Sequence, residues 1–239
     1  MIEAHLKRLK ARHAISDAEQ AAIRDSIGEV RDYPARKVLV EPGQLLTAST
    51  LVLKGLICRY KDLSEGQRQI TQVHVPGDFA DLHSFTLKRL DHSIMTLTPT
   101  RVAMVPHEKL TQITERFPYL TRVYWFSTNL DAAIHREWEV SLGRRSAIAR
   151  CAHILAELSF RLELVGLADS HGYDLPISQI DLSECLGLTS VHVNRSLRRL
   201  REEGVAIFRT GRVEIRDLAA LEQIGEFDPA YLYPVAVPI

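Results

Sequence analysis

The sequence predicts an α+β fold: a roll of short strands, then one long helix, then a helix–turn–helix followed by a β-hairpin. Three observations predict it. Strand-like runs between Arg36 and Val105 are punctuated by Gly43, Gly55, Gly66 and Gly77, spaced twelve, eleven and eleven residues apart. Turn residues at that spacing suit a small sandwich, barrel or roll. A helical apolar seam then runs from Tyr119 to Leu142. Last, the stretch 175–216 holds two short helical patterns around a Gly-Leu-Thr turn, then a strand pair carrying arginines.

The elements follow in order. Residues 1–30 read as helical, with Leu6, Leu9, His13, Ile23 and Ile27 at helical spacing. Ser16-Asp17-Ala18-Glu19 has the form of a capping box, and Pro34 closes the region. VLV (38–40), LVLKGLICRY (51–60), RQITQVHV (68–75) and HSIMTLTPTRVAMV (92–105) read as strands. HEKLTQITERF (107–117) is a short amphipathic helix stopped by Pro118. In the long helix, Leu120, Val123, Tyr124, Ser127, Leu130, Ile134 and Trp138 recur at three- and four-residue steps, the pattern of a seam for a partner helix. The same pattern also suits a helix packed on its own domain. Gly143 is expected to interrupt the helix as a hinge. Ser146–Leu164 reads as a further helix, with Cys151, Leu155 and Leu158 on one face, and 165–175 as a loop. A short helix follows Arg216, and the apolar tail 228–239 is expected to dock on the body. The expected division is a sensing domain over 1–117, a dimerisation helix over 118–142 and a nucleic-acid-binding domain over 143–239.

Composition narrows the function. The 239 residues are 46% hydrophobic and 25% charged, with a formal net charge of +0. A diffuse polycation that coats nucleic acid is therefore not expected. The basic charge is local instead: between Leu188 and Arg216 seven arginines stand against three glutamates. All seven lysines fall at or before Lys109. Arginine suits bidentate contacts to phosphate and guanine better than lysine does. Cys58, Cys151 and Cys185 are far apart and form no metal-ligand spacing, which fits a reducing, cytoplasmic setting. The N-terminus lacks the apolar core of a secretory signal, and no membrane partner is expected. No nucleophile–base motif or phosphate-cradling glycine loop is present, so catalytic residues and a metal site are not expected.

The helix–turn–helix carries the candidate chemistry. Ser178 and Asp181 read as a capping box, and Ile180, Leu182, Cys185 and Leu186 as the first helix's buried side. Gly187 ends that helix and Thr189 caps the next. There Val193, Leu197 and Leu200 should face the core. A recognition helix turns its N-terminal residues to base edges. Arg195 can fork onto guanine O6 and N7, Asn194 can pair with adenine, and Val191 can touch a thymine methyl. Ser178, Thr189, Ser190 and His192 suit phosphates. Arg198 and Arg199 add positive charge. Arg209 and Arg212 flank the Thr210-Gly211 turn of a wing over the backbone.

These residues, with PGDF at 76–79 and LGLTSVHVNRSLRRLREEGV at 186–205, give a chain that resembles the CRP/FNR family of bacterial transcription regulators over nearly its whole length. The resemblance implies a cyclic-nucleotide-binding-like jelly roll, a homodimer paired along the long helix and a winged helix on double-stranded DNA with two-fold related half-sites. It also implies contact with RNA polymerase and an effector in the roll that rotates the DNA-binding heads. The expected effector pocket comprises His74, Phe79, Asp81, Leu82, His83, Ser84, His92 and Ser93.

The departures from the family pattern are informative. His92-Ser93 stands where cyclic-AMP receptors carry Arg-Ser, so the charge-assisted fork to a cyclic phosphate is missing and tight cyclic-AMP binding is not expected. The cysteine-free N-terminus offers no iron–sulfur ligands. Haem stays open on His74, His83 and His92, which would make a gas sensor, and the effector is otherwise unknown. Val191 replaces the family's usual glutamate, so the preferred half-site should differ at that base pair. The alternative function is a ligand-binding signalling module whose winged helix contacts protein.

Overall fold

The computed structural model describes residues 2–235. Two short helices lead, α1 (Glu3–Lys10) and α2 (Asp17–Asp25). The Ser16–Glu19 capping box forms: the Glu19 N–H donates to Ser16 Oγ, and the Ser16 N–H donates to Glu19 Oε2 at 2.8 Å. The strands are β1 (Val30–Tyr33), β2 (Val38–Val40), β3 (Ala48–Lys54), β4 (Ile57–Asp62), β5 (Arg68–His74), β6 (Ser93–Thr96) and β7 (Thr100–Pro106), with the short helix α3 (Ser84–Leu87) before β6. They form two sheets, β1-β7-β3 and β2-β6-β4-β5. β1 falls inside the region read as running from helix to Pro34. Its residues are exposed or half-buried, so no inward apolar alternation marks it.

The three-stranded sheet is buried on both faces. Leu51 of β3 and Ala103 of β7 share one core with Leu6, Leu9 and Ile23 of the leading helices. Val52 and Val102, their chain neighbours, point the other way into a second core with Ile57 and Ile94 of the other sheet. Period-two alternation sends neighbours to opposite faces. Each such side chain contributes roughly 1.5–3 kcal/mol over its exposed state. That is why these strands read as nearly continuous apolar runs.

The helices α4 (His107–Arg116) and α5 (Pro118–Arg144) follow. Pro118 does more than stop α4. It is the first residue of α5, where a missing N–H costs nothing. α5 runs through Gly143, which was expected to break it. One glycine costs a helix only about 1 kcal/mol. The chain breaks at Arg145-Ser146 instead, where Ser146 caps α6 (Ala147–Glu163). The stripe expected to meet a partner helix also needs correction. Leu120, Val123, Tyr124, Leu130, Ile134 and Trp138 are all at most 6% exposed within a single chain. Ser127 is half-buried and its hydroxyl donates to Val123 O at 3.0 Å. Apolar periodicity marks the side a helix buries, and here that side is buried against its own chain.

Packing divides the chain into two units. One holds the residues up to Lys61, Val73–Ala133 and the stretch from Tyr233; the other holds Asp62–Gln72 and Ile134–Leu232. In the second, α6 is the central helix. Around it lie β8 (Ala168–Asp169), β9 (Gly172–Asp174), α7 (Gln179–Leu186), α8 (Ser190–Glu202), β10 (Ala206–Arg209), β11 (Arg212–Ile215) and α9 (Leu218–Gly225). The sheet order is β10-β11-β9-β8. β8 and β9 occupy the expected loop 165–175 and are too short to show a period. Ile180 departs from its expected burial and is 59% exposed, because the inner face of α7 is made by Leu182, Cys185 and Leu186. A 3-10 turn, Pro229–Leu232, buries Leu232, while Val235 is 73% exposed; the last four residues of the expected docking tail lie outside the described residues. Among the described residues no helix is long and apolar enough to cross a membrane.

One buried ion pair ties the second unit together. Glu157 of α6 is fully buried and accepts from Arg161 Nη1 at 2.8 Å. It also accepts from the Trp138 indole N–H at 3.0 Å and the Tyr231 hydroxyl at 2.8 Å. Breaking such a pair from one side strands a buried charge. Glu157→Ala is expected to lower stability by roughly 3–5 kcal/mol, read by denaturant unfolding. A loss below about 1 kcal/mol would show that Arg161 is already solvated.

Candidate nucleic-acid interface

The local chemistry of α7 and α8 sets the geometry. Ser178 caps α7: its hydroxyl donates to Asp181 Oδ2 at 2.7 Å and accepts from the Asp181 N–H at 3.1 Å. Gly187 ends α7 at φ +59°, a left-handed turn that a side chain would strain. Thr189 then caps α8, its hydroxyl accepting from the His192 N–H and lying 2.9 Å from His192 Nδ1. Val193, Ser196, Leu197 and Leu200 form the inner side of α8. Beneath it, burial pushes the Cys151 thiol up to about 12, against a hydrogen bond with Ser196. This cysteine is packing material rather than a nucleophile.

The outer side carries the expected DNA-reading residues. Thr189, Ser190, Val191, His192, Asn194, Arg195, Arg198 and Arg199 are all exposed. They are not electrostatically alike. Arg198 pairs with Glu202 at 2.8 Å and Arg199 with Glu203 at 2.7 Å. Arg195 has no such partner among the described residues. Asn194 Nδ2 donates to Gln179 Oε1 at 3.2 Å, so Gln179 is a neighbour the sequence reading did not single out. Arg195 in the N-terminal half of α8 and Arg201 in its last turn therefore keep unneutralised positive charge, and at the N-terminal end the helix dipole also favours an anion.

The wing forms as predicted. β10 and β11 pair antiparallel, and Arg209 lies opposite Arg212. Thr210 and Gly211 both have positive φ, +50° and +74°, as a two-residue hairpin turn requires. Arg212 is held by Asp174 at 2.9 Å, while Arg209 is exposed with no partner among the described residues.

The expected effector residues divide between buried and half-buried positions. Phe79 and Leu82 belong to the apolar core, with Phe79 edge-on to His5 and Tyr124. Ser84 is fully buried and bonds Ser49 Oγ and His107 Nε2, both at 3.2 Å. His74 is fully buried with its Nδ1 3.8 Å from Asp78. His83 and His92 instead lie together, ring centroids 5.4 Å apart, and Ser93 is half-buried. The three histidines thus do not form one cluster. Asp81 is fully buried and accepts from the Thr50 N–H at 2.5 Å. Sequence reading missed Arg59, whose only signal was a cation within an apolar strand run. Its Nε donates to Ala80 O at 2.7 Å and its Nη2 to Asp131 at 2.8 Å, so this buried cation is already committed.

Comparison with known proteins gives the same two-part organisation. Residues 30–117 match the family model described as cyclic nucleotide-binding domain, and residues 149–224 match the Crp-like helix-turn-helix domain. The chain is 26% identical over 226 residues to the transcriptional activator protein FnrL of Cereibacter sphaeroides, spanning 92% of this chain and 90% of that one. It is 28% identical over 215 residues to the nitrogen fixation regulation protein FixK of Bradyrhizobium diazoefficiens, spanning 87% of each. The solved structure of FixK2 from Bradyrhizobium japonicum superposes with a TM-score of 0.75 at 25% identity, covering 82% of this chain and 96% of that one.

Asp81 gives the roll a pH signature. Burial raises its carboxyl to about 6, against hydrogen bonds from Thr50 and the charge of Arg59. The folded state then holds a proton that the unfolded chain releases near pH 4, so this contribution is complete below pH 4 and lost as pH rises through about 6. Relative to Asp81→Asn, the natural chain should lose roughly 3 kcal/mol between pH 4 and pH 7 in denaturant unfolding. Parallel stability profiles for the two proteins would contradict this.

Proposed function

Since the chain belongs to the CRP/FNR family of transcription regulators, we propose that it binds DNA as a homodimer, each α8 reading one of two related half-sites. The observation that carries this reading is the asymmetry of α8. Its inner stripe is buried, and its N-terminal outer face presents Val191, Asn194 and Arg195, which has no partner among the described residues. Arg195 takes guanine and Asn194 adenine, exchanging its contact with Gln179 for the base. Val191 meets a thymine methyl. Thr189, Ser190, His192 and Ser178 line the phosphates, with Arg198, Arg199, Arg209 and Arg212 adding charge along the backbone. Arg198, Arg199 and Arg212 must release their carboxylates to do so, which makes them weaker contributors than Arg195.

The dimer seam in this reading lies on the outward face of α5. Pro118, Arg122, Trp125, Asn129, Ala132, Arg136, Glu139 and Gly143 are exposed at alternating steps of four and three, the spacing of a helix–helix seam. Trp125, 67% exposed, and the neighbouring Val140, 49% exposed, are its large apolar groups. In this reading the two α8 helices of the dimer enter half-sites about 34 Å apart, one turn of duplex. An effector in the roll would change that spacing, and a cytoplasmic site and contact with RNA polymerase complete the proposal. FnrL is named a transcriptional activator, which favours positive control.

Two experiments test these assignments. Arg195→Ala should cost roughly 1–3 kcal/mol of specific binding and relax base choice at one position, measured by selection from random duplexes. An unchanged selected sequence would remove Arg195 from the groove, and binding without salt dependence would favour a protein partner for the winged helix. Trp125→Glu should convert dimer to monomer in sedimentation with the fold retained. A persistent dimer would place the seam elsewhere. Charges at Leu130 or Ile134 would not be informative, because both side chains lie in the core.

A further inference from the structure

We propose that Gln69 is a positioning residue for the DNA-reading helix: its side-chain amide holds the end of α7 and so fixes where α8 starts. This role rests on the DNA-binding reading above and adds a residue to it. Gln69 lies on β5, in the segment 62–72 that packs with the second unit. Its Nε2 donates to Glu184 O at 2.8 Å, 115 residues along the chain, with Cys185 O a further acceptor at 3.2 Å.

The carbonyls at the end of α7 show what this contact does. A helix leaves its last four carbonyls without donors of its own. In α7 they belong to Ser183, Glu184, Cys185 and Leu186. The Gly187 N–H supplies Ser183 O from within the turn. Arg150 Nη1, from α6, supplies Leu186 O at 3.0 Å. Gln69 supplies the two between them. All four are thus satisfied, three of them by side chains from outside the helix–turn–helix. Removing the Gln69 donor would leave Glu184 O and Cys185 O without it, and a helix end stripped of its partners frays.

The same groups enclose the turn. A Cβ on Gly187 would come within 3.0 Å of Leu142 Cδ2, 3.4 Å of Gln69 Oε1 and 3.8 Å of Arg150 Nη1. The Gln69 amide is fixed in direction, because reversing it would set its oxygen against three carbonyl oxygens, Ile70 O at 2.8 Å among them. α8 begins at Ser190, three residues after Gly187. Little slack therefore separates the held end of α7 from Val191, Asn194 and Arg195. β5 runs on through Val73 and His74 into the first unit, so a change in that strand reaches α8 through this amide.

The test uses the full-length protein and Gln69→Glu, which keeps the side chain's size and sets a carboxylate against carbonyl oxygens. Without DNA, amide hydrogen exchange over 187–193 should quicken about tenfold or more while α6 keeps its protection. Affinity for the duplex that the natural chain selects should also fall about tenfold or more. Affinity for an unrelated duplex, carried by phosphate contacts, should change by less than about threefold. Gln69→Leu, uncharged and similar in volume, should move both readouts the same way by a smaller factor. Gln67→Glu makes the same charge change at an exposed residue of the same segment and should leave both unchanged. Natural exchange rates in Gln69→Glu, an equal loss on both duplexes, or an equal effect of Gln67→Glu would overturn the role. A natural chain that selects no duplex would instead refute the DNA-binding reading, while the exchange measurement still decides whether Gln69 holds the turn.

Discussion

What α8 offers to solvent depends on how its opposite side is held. Val193 and Leu200 are fully buried, and Leu197 nearly so. Rotating the helix by one residue, about 100°, would drag these out and push charged residues in. Each buried aliphatic resists that by roughly 1.5–3 kcal/mol, and an arginine forced inward without a partner would cost still more. Caps at both ends of α7 and at the start of α8 settle where the helices begin. The outer face is thus set by the inner one.

Charge is graded along that outer face. In the C-terminal half of α8, Arg198 and Arg199 are paired with Glu202 and Glu203 one turn on, contacts worth only about 0.3–0.5 kcal/mol each at an exposed site. Such pairs are cheap to break and add little to the fold. Their consequence is electrostatic: Arg195 keeps its charge towards the helix N-terminus, where dipole and side chain favour an anion together. A chain of formal net charge +0 can therefore present a localised basic surface without binding polyanions everywhere.

The roll applies the opposite economy, keeping polar groups inside. Arg59 is divided between a backbone carbonyl and Asp131, Ser84 shares its hydroxyl with Ser49 and His107, and Asp81 takes two bonds from Thr50. Inside a low-dielectric core, polar groups persist only where partners are found. Not every buried ring nitrogen finds one: His5 Nε2, His13 Nδ1 and His92 Nε2 have no hydrogen-bond partner among the described residues.

Much of this was legible in the amino-acid order alone. Capping residues, the turn glycines and apolar periodicity are local signals, and they sufficed for the roll, the long helix, the helix–turn–helix and the hairpin. They also sufficed for the outer residues of α8, because amphipathic phase is a property of one helix. Periodicity says which side of a helix is buried but not what buries it. So the α5 stripe from Leu120 to Trp138 read as a seam between chains, yet it packs within one. Short strands such as β1, β8 and β9 carry too few residues for a period, and Gly143 could be absorbed by a helix held along its length. Which buried polar groups meet was beyond the sequence too. Arg59 and Asp131 are 72 residues apart, one on β4 and the other on α5, and only the packing of that helix against the roll brings them together.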